Sequence, residues 1–273
     1  MVPGRWQVGP TEDSLLVVRF IILSTQRSGS TWLVESLTSH PSVVCYGELF
    51  IQRPRQPTPP WGARGASVFE AYRSSLPWYR RRSAAAVSRY LDGIYSFPPG
   101  VVAVGFKLMY GQLEHHPALM GELRQRSVRV VHLLRSNALD VIISKRAAAA
   151  RGLHHLPVEE PVPVTRLQLD AGRLPGQLER QEREQRKGRR LLERLQLPTH
   201  DVEYETLLAG SSALAEVLEF LGVPAGDVGS LSPRIQRILS RRREETIENF
   251  DAVTRALRGT RYERYLGQGG DGR

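Results

Sequence analysis

Short runs of hydrophobic residues recur along the chain and predict the strands of a sheet. Residues 16–24 are rich in Val, Ile and Leu with almost no polar alternation, and residues 128–134 show the same pattern. Continuous apolar runs of this length are typical of strands buried on both faces of a parallel sheet. Shorter strand candidates lie at 42–46 and 201–204, and another strongly apolar run covers 101–109.

Segments with helical spacing separate these runs. A helix is predicted to start at Ser30 and to end at the breaker Ser39-His40-Pro41, and another covers 137–151. Further helical spacing is found at 67–95, 177–197 and 205–221, and residues 234–257 are basic and partly helical. Two irregular stretches, 52–65 and 151–175, contain several prolines and are predicted to be loops.

The alternation of strands and helices predicts an α/β fold with three layers, P-loop-like, around a central and mainly parallel sheet. A chain of 273 residues can bury a substantial core. We expect a single domain over residues 1–273, with flexible ends at about 1–14 and 267–273. No internal repeat or low-complexity tract divides the sequence.

The composition of the chain suits an anionic partner. The net charge of +10 and the isoelectric point near 10.2 suit a nucleic acid, an acidic membrane surface or a small polyanion. The single Cys45 excludes an internal disulfide framework and a cysteine-based zinc site. The longest apolar run, 15–23, is interrupted by Arg19 and is too short to span a bilayer. Because the N-terminus also lacks a signal-peptide pattern, we expect a cytoplasmic protein.

The turn after the first predicted strand has the residues of a phosphate-binding loop. A helix that begins directly after a buried strand presents backbone N–H groups and the positive end of its dipole to an anion. Arg27 adds a fixed positive charge, Gly29 lets the backbone approach a phosphate, and the neighbouring hydroxyls are further donors. The full turn is Gln26-Arg27-Ser28-Gly29-Ser30-Thr31. An ordinary capped turn is the alternative, but the coincidence of glycine, cation and hydroxyls favours phosphate binding.

The nucleotide P-loop pattern GxxxxGK[ST] is absent. The loop instead resembles that of sulfotransferases dependent on 3'-phosphoadenosine-5'-phosphosulfate (PAPS), which has an Arg-Ser-Gly-Ser/Thr-Thr core followed by Trp. Here the matching segment runs from Thr25 to Leu33 and contains Ser30-Thr31-Trp32. The resemblance implies that the residues from Gln26 to Trp32 hold the 5'-phosphosulfate of PAPS. It also implies that adenosine 3',5'-bisphosphate is the product and that no metal is required.

A second segment strengthens the same resemblance. In the family, an Arg after a strand and a Ser on the following helix hold the 3'-phosphate, and Arg135 and Ser144 occupy these places. They are nine residues apart, whereas the commoner family spacing is eight, so Ser136 is a further candidate for part of the task. A basic segment near the family's C-terminal end closes over the 3'-phosphate, which makes Arg242 a candidate together with Arg241 and Arg243. The C-terminal residues resemble bacterial nodulation and trehalose sulfotransferases.

Sulfuryl transfer requires positioning, positive charge on the bridging oxygen and a base. The resemblance implies that Arg27 lies beside the leaving phosphate oxygen. Glu48 resembles the position at which bacterial relatives carry a glutamate base, whereas His115 and His116 have an unperturbed pKa better suited to a base near neutrality. Lys107 lies near the end of the predicted strand that precedes these histidines, and it is a candidate contact of the sulfonate.

Two other functions remain open from the sequence. A P-loop kinase-like transferase would require a lysine in the loop and a magnesium-binding acid, and neither is found. A nucleic-acid-binding protein would use the arginine clusters at 80–82, 186–190 and 241–243, but these lack interleaved aromatic residues. His154 and His155 are adjacent, which does not favour a metal site. The acceptor is left open among a carbohydrate, a glycolipid and a secondary metabolite, and the oligomeric state is not indicated.

Overall fold

A parallel sheet lies at the centre of the structure, a computed structural model that describes residues 17–52, 66–81, 83–97, 100–151, 166–224, 228, 231 and 242–267. Its strands are β1 (Val18–Ser24), β2 (Val43–Glu48), β3 (Ala103–Met109), β4 (Arg129–Leu134) and β5 (Thr199–Glu203). They are ordered β2-β3-β1-β4-β5, and every neighbouring pair is parallel. The predicted α/β fold with a central parallel sheet is therefore confirmed.

Helices connect the strands and cover the sheet. The first five are α1 (Ser30–Thr38), α2 (Phe69–Ser75), α3 (Ala84–Ile94), α4 (Tyr110–His115) and α5 (Pro117–Gln125). After β4 follow α6 (Ala138–Arg151) and the long α7 (Leu174–Leu195). After β5 follow α8 (Tyr204–Ala209), α9 (Ser212–Phe220), α10 (Arg243–Thr246), α11 (Phe250–Leu257) and α12 (Arg264–Gly267).

The central strand β1 shows why the fold has three layers. Successive side chains of a strand point to opposite faces, so Ile21 and Leu23 pack on one side while Phe20 and Ile22 pack on the other. All four are fully buried. The first pair packs with residues of α2 to α5 and α7, and the second with α1, α8 and α9. Each such burial contributes about 1.5–3 kcal/mol, which explains why the sequence of β1 is apolar on both faces.

Two predicted helical segments are divided in the structure. The segment 67–95 contains α2, a short 3-10 helix (Trp78–Arg80) and α3, since Pro77 stands in an extended conformation between the first two. The prediction of one helix over 205–221 was wrong, because Gly210 is extended and separates α8 from α9. The helix predicted from 177 begins at Leu174, with Pro175 in its first turn.

Several sequence predictions lie outside the described residues. These are the flexible ends at 1–14 and beyond 267, most of the loop 52–65, most of the loop 151–175, and Arg241.

The parallel register brings the carboxyl ends of the central strands to one edge of the sheet. Ser24 at the end of β1 pairs with Met109 of β3 and with Leu133 of β4. The register between β2 and β3 shifts at Gly47, so that Glu48 stands opposite Lys107. This edge therefore collects the turn after β1, the residues after β4 and the Glu48–Lys107 pair, and open parallel sheets bind their ligands at such an edge.

Candidate active site

The turn between β1 and α1 depends on two residues in the left-handed region of backbone space. Arg27 has a φ of 65° and Gly29 has a φ of 88°. At Gly29 a side chain is excluded by its surroundings as well, because an added Cβ would lie 2.1 Å from Cδ2 of Tyr204. The buried hydroxyl of Ser28 donates to the carbonyl of Thr25 at 2.8 Å and so closes the turn.

The N-terminus of α1 has the charge of an anion-binding helix end. The first N–H groups of a helix have no acceptor within the helix, and the helix dipole places partial positive charge there. The N-cap Gly29 supplies no side chain, and the first turn of α1 contains no acidic residue. At the start of α6, by contrast, the carboxylate of Glu205 accepts from the backbone N–H groups of Ser136 and Asn137, at 3.2 and 3.4 Å. Among the described residues, the protein already supplies an anion at the start of α6, and the first turn of α1 contains no such acidic residue.

The two predicted phosphate motifs meet in space. Arg27 Nε donates to Ser144 Oγ at 3.0 Å, and one guanidinium nitrogen of Arg135 donates to the carbonyl oxygen of Arg27 at 3.1 Å. More than a hundred residues of sequence separate Arg27 from each partner. We call the turn 25–29, the first turn of α1, Arg135 and Ser144 the phosphate cradle.

Arg135 and Ser144, which are nine residues apart, contact different parts of the loop. Arg135 reaches the backbone of the loop, whereas Ser144, which is 5% exposed, reaches the side chain of Arg27. The two residues therefore hold different parts of the same turn.

Two neighbouring positive charges dominate the electrostatics of the cradle. Burial, together with the charge of Arg135, lowers the pKa of Arg27 to about 10. Arg135 Nε is buried without a hydrogen bond to any described residue. The nearest carboxylates, Asp140 and Glu205, lie 3.9 Å from the guanidinium nitrogens of Arg135. A bound oxyanion would offset this concentration of charge, because hydrogen bonds between ionised groups are the strong ones.

Tyr204 and Glu205 belong to the site, although the motif analysis did not single them out for it. Arg135 stacks over the ring of Tyr204 at 5.0 Å, and the same ring packs against Gly29. Tyr204 thus supports both halves of the cradle, and Glu205 fixes the start of α6. Their position directly after β5, at the same sheet edge, is the sequence signal that identifies them.

A second cluster surrounds Lys107. Its ammonium group is 3.0 Å from Glu48 Oε1 and donates to Thr31 Oγ1 at 3.0 Å, so it connects β2, β3 and the first turn of α1. The other oxygen of Glu48 accepts from Gln112 Nε2 at 2.7 Å. Gln112 is itself held by the backbone N–H of Met109, which donates to its side-chain oxygen at 3.0 Å. Lys107 is 6% exposed, and the side chain of Glu48 retains 25% of its surface. We call Lys107 and Glu48 the lysine–carboxylate pair.

The two candidate histidines lie elsewhere, His115 as the last residue of α4 and His116 between α4 and α5. His115 is exposed, and its Nδ1 contacts the carbonyl of Gly111 within its own helix. His116 packs edge to face against Phe50 and Phe69, and burial together with Arg73 lowers its pKa. Neither histidine contacts the cradle among the interactions of the described residues.

The remaining predicted residues lie in the cradle, at the surface and, for Arg243, in a buried contact with α6. Gln26 is exposed at the tip of the turn, and Trp32 is half-buried on α1. Arg242 is exposed, and its side chain makes no ion pair within the described segments. Arg243 is buried instead, with Nε donating to Asp140 of α6 at 2.8 Å and a terminal nitrogen donating to the carbonyl of Tyr265 at 2.8 Å. Arg243 thereby joins the C-terminal helices to the helix that carries Ser144.

A buried hydrogen-bond chain lies beneath both clusters. His132 of β4 is fully buried, with Nδ1 2.7 Å from Asp201 and Nε2 2.6 Å from the hydroxyl of Tyr110. Burial lowers its pKa. In the neutral ring, Nδ1 donates to the carboxylate and Nε2 accepts from the tyrosine. The chain links the strand that leads to Arg135 with the helix that carries Gln112.

Searches for two other features gave negative results. Over the ranges that the structure describes, no group of three or more His, Cys, Asp or Glu side chains could hold a metal ion. Within the same ranges, no helix has the length and hydrophobicity needed to cross a bilayer.

No known protein-family model matches the sequence, and no curated protein does either. Among solved structures, the fold is similar to a sulfotransferase from Alicyclobacillus acidocaldarius, with 14% identity and a TM-score of 0.44 over 91% of this chain and 95% of that chain. It is also similar to a mouse sulfotransferase complexed with PAP, with 13% identity and a TM-score of 0.43 over 93% of this chain and 89% of that chain.

Proposed function

We propose that the protein is a sulfotransferase that moves a sulfuryl group from PAPS to a hydroxyl group of an acceptor. One observation carries this proposal: Arg27, Ser144 and Arg135, from motifs far apart in the sequence, hold one another at the N-terminus of α1. A donor with phosphates at two positions requires two anion sites close together, and the cradle has cations from both motifs. The residues from Gln26 to Trp32 would hold the 5'-phosphosulfate, and Arg135 with Ser144 the 3'-phosphate.

The proposed chemistry divides between the two clusters. Arg27 would stabilise the charge that develops on the leaving phosphate oxygen, and Lys107 would contact the transferred sulfonate. Little covalent chemistry is required of the protein in such a transfer, so alignment and fixed positive charge supply most of the rate enhancement.

Glu48 is the proposed base, and its contacts define how it would work. Both carboxylate oxygens are engaged, one by Lys107 and one by Gln112. An acceptor hydroxyl would have to replace one of these contacts before Glu48 could take its proton. If the contacts persist, Glu48 orients Lys107 instead, and the base is another group such as His116.

Lys107 also bears on the kinase-like alternative. Nucleotide P-loops use a Ser or Thr hydroxyl after the loop to bind Mg²⁺. Here the hydroxyl of Thr31 accepts a hydrogen bond from an ammonium group. A fixed protein cation beside this hydroxyl favours donor binding without magnesium.

The test is binding and turnover with the purified chain. We expect adenosine 3',5'-bisphosphate to raise the melting temperature in EDTA, and ATP with Mg²⁺ and duplex DNA to have little effect. Incubation with PAPS labelled in the sulfate, and a panel of carbohydrate, glycolipid and phenolic or alcoholic acceptors, should then yield a labelled product. A response only to DNA or to magnesium-ATP would refute the proposal.

The proposal also names partners and a cellular location. PAPS and a small-molecule or glycan acceptor would be the partners, with no nucleic acid and no metal, and the cytoplasm would be the location. Fractionation of cells that express the tagged chain tests the location.

A further inference from the structure

A cleft of about 580 Å³ lies between α6 and α7, outside the phosphate cradle. Its charged lining is mostly basic, with Glu184 as the carboxylate among the lining residues. Five cations against one carboxylate leave four positive charges at neutral pH. The cations are Lys145 and Arg146 on α6, and Arg180, Arg183 and Lys187 on α7.

The ion pairs within this lining are weak. Arg183 lies 3.3 Å from Glu179 and Lys187 lies 3.5 Å from Glu184, and both pairs are solvent-exposed. Lys145, Arg146 and Arg180 form no ion pair with any residue in the described ranges. Positive charge on both walls of the cleft is therefore largely uncompensated.

Gln181 supplies a second and independent observation. Its side chain is buried, with 4% exposure, and its Oε1 accepts from Lys145 Nζ at 2.8 Å. Because the lysine can only donate, this contact fixes which end of the amide is oxygen. The other end, Nε2, is a buried donor without an acceptor among the described residues. A ligand oxygen in the cleft would satisfy this donor.

The ammonium group of Lys145 adds to the same picture. Lys145 is exposed as a residue, but desolvation lowers the pKa of its ammonium group, with Glu184 acting in the opposite direction. An ammonium group that has lost part of its hydration gains more from an oxyanion than a fully hydrated one does.

We propose that this cleft binds a polyanionic ligand, that is, a molecule with two or more carboxylate, sulfate or phosphate groups. Cations on opposite walls require more than one anionic group for simultaneous contact. The volume suits a ligand of the size of a short acidic oligosaccharide. One anionic group would lie against Lys145 and Gln181, and another against the arginines of the two helices.

The cleft shares both of its walls with the phosphate cradle. Lys145 follows Ser144 on α6, and Gln185, one turn after Gln181 on α7, donates to the carbonyl of Arg135 at 2.7 Å. A polyanion in the cleft would thus lie beside Arg135 and Ser144, and only the assignment of these two residues to a 3'-phosphate rests on the proposed function. Binding in the cleft does not depend on it.

Isothermal titration of the full chain with a heparin-derived tetrasaccharide, at constant ionic strength, tests the proposal. We expect saturable binding of one ligand per chain, and no binding of the uncharged maltotetraose. In the double variant Lys145→Gln/Arg180→Gln the affinity should fall by roughly tenfold or more. The matched control Arg89→Gln removes an exposed arginine of α3 and should change the affinity by less than about twofold.

Two further variants separate the possible outcomes. Gln181→Leu should weaken binding while the melting temperature stays the same or rises, because an unsatisfied buried donor is removed. Arg27→Ala should leave tetrasaccharide binding intact, so that failure of PAPS binding and failure of the cleft are distinguishable. Titration with sodium sulfate shows which kind of anion the cleft binds. Sulfate binding that depends on Lys145 indicates a small free oxyanion. Binding of the tetrasaccharide but not of sulfate indicates an acidic saccharide.

Three results would overturn the proposal. These are no saturable binding of either anion, an equal loss of affinity in Arg89→Gln and in the double variant, or tighter binding of a DNA oligonucleotide of equal charge.

Discussion

The phosphate cradle and the lysine–carboxylate pair are neighbours, yet they are built in different ways. The cradle is mainly backbone: it consists of two residues with positive φ, a helix N-terminus, and Arg135, which holds the loop from a distant part of the chain. The pair is built from side chains on adjacent strands, with Thr31 as its contact to the cradle. Binding a polyanion depends on shape and total charge, whereas reaction at one atom depends on a few exact contacts. Mutations in the two regions should therefore separate affinity from turnover.

Arg27→Ala should have the largest effect, because Arg27 serves both functions. Turnover should fall by roughly a thousandfold, since a donor to the developing negative charge is lost, and bisphosphate binding should weaken as well. Initial rates with labelled PAPS and isothermal titration measure the two effects. Arg27→Lys keeps the charge but not the guanidinium contact with Ser144, and should retain part of both. Wild-type rates in Arg27→Ala would exclude the proposed role.

Glu48→Gln should lower turnover and leave bisphosphate binding in the cradle nearly unchanged. Glutamine has nearly the shape of glutamate but lacks the negative charge of the base, so turnover should fall by roughly a hundredfold. Bisphosphate affinity should change by less than about twofold, because among the described residues Glu48 reaches the cradle through Lys107 and makes no direct contact with it.

Full activity in Glu48→Gln would transfer the role of base to His115 or His116, and His116→Gln is then the deciding variant. Equal losses of binding and turnover in Glu48→Gln would instead show that the pair acts by positioning Lys107. A double-mutant cycle with Lys107→Met measures that coupling.

Gly29→Ala should affect the cradle, and with it donor affinity and stability. A left-handed backbone costs an alanine about 1–2 kcal/mol, and the new Cβ would collide with Tyr204, 2.1 Å away. We expect donor affinity to fall by roughly tenfold and the melting temperature to fall by at least about 4 °C. In Tyr204→Ala the same glycine substitution should cost less stability, because the collision is absent. An unchanged melting temperature in Gly29→Ala would contradict the close packing of this turn.

The smallest expected effect concerns the buried chain beneath both regions. Burial lowers the pKa of His132, so the folded state resists a proton that the unfolded state takes up below about pH 6.5. Stability should therefore fall as the pH decreases from 7 to 5. In His132→Gln, the melting temperature should depend less steeply on pH over this range. An identical slope in the variant would show that the contact with Asp201 offsets the effect of burial on the pKa of the ring.

Local sequence predicted the parts of the site that depend on local structure. The apolar run of β1 and the glycine-containing turn were enough to predict an anion-binding helix end, and the parallel order of strands placed Glu48 and Lys107 at one edge. The contact between Arg27 and Ser144 was not predictable, because it depends on how α6 packs against the sheet. The support of Gly29 by Tyr204 was missed for the same reason. The break at Gly210 was missed because an isolated glycine is often tolerated within a helix.

The register shift at Gly47 decides how β2 would tolerate the loss of a residue. One extra residue in β2 places Glu48 rather than Gly47 opposite Lys107, and successive residues of a strand face opposite ways. Deletion of the Gly47 codon would shorten the chain by one residue and join Glu48 directly to Tyr46. The carboxylate would then take the next place in an unbroken register, which is again the place opposite Lys107. Loss of this one codon should thus leave the proposed base beside the proposed sulfonate contact.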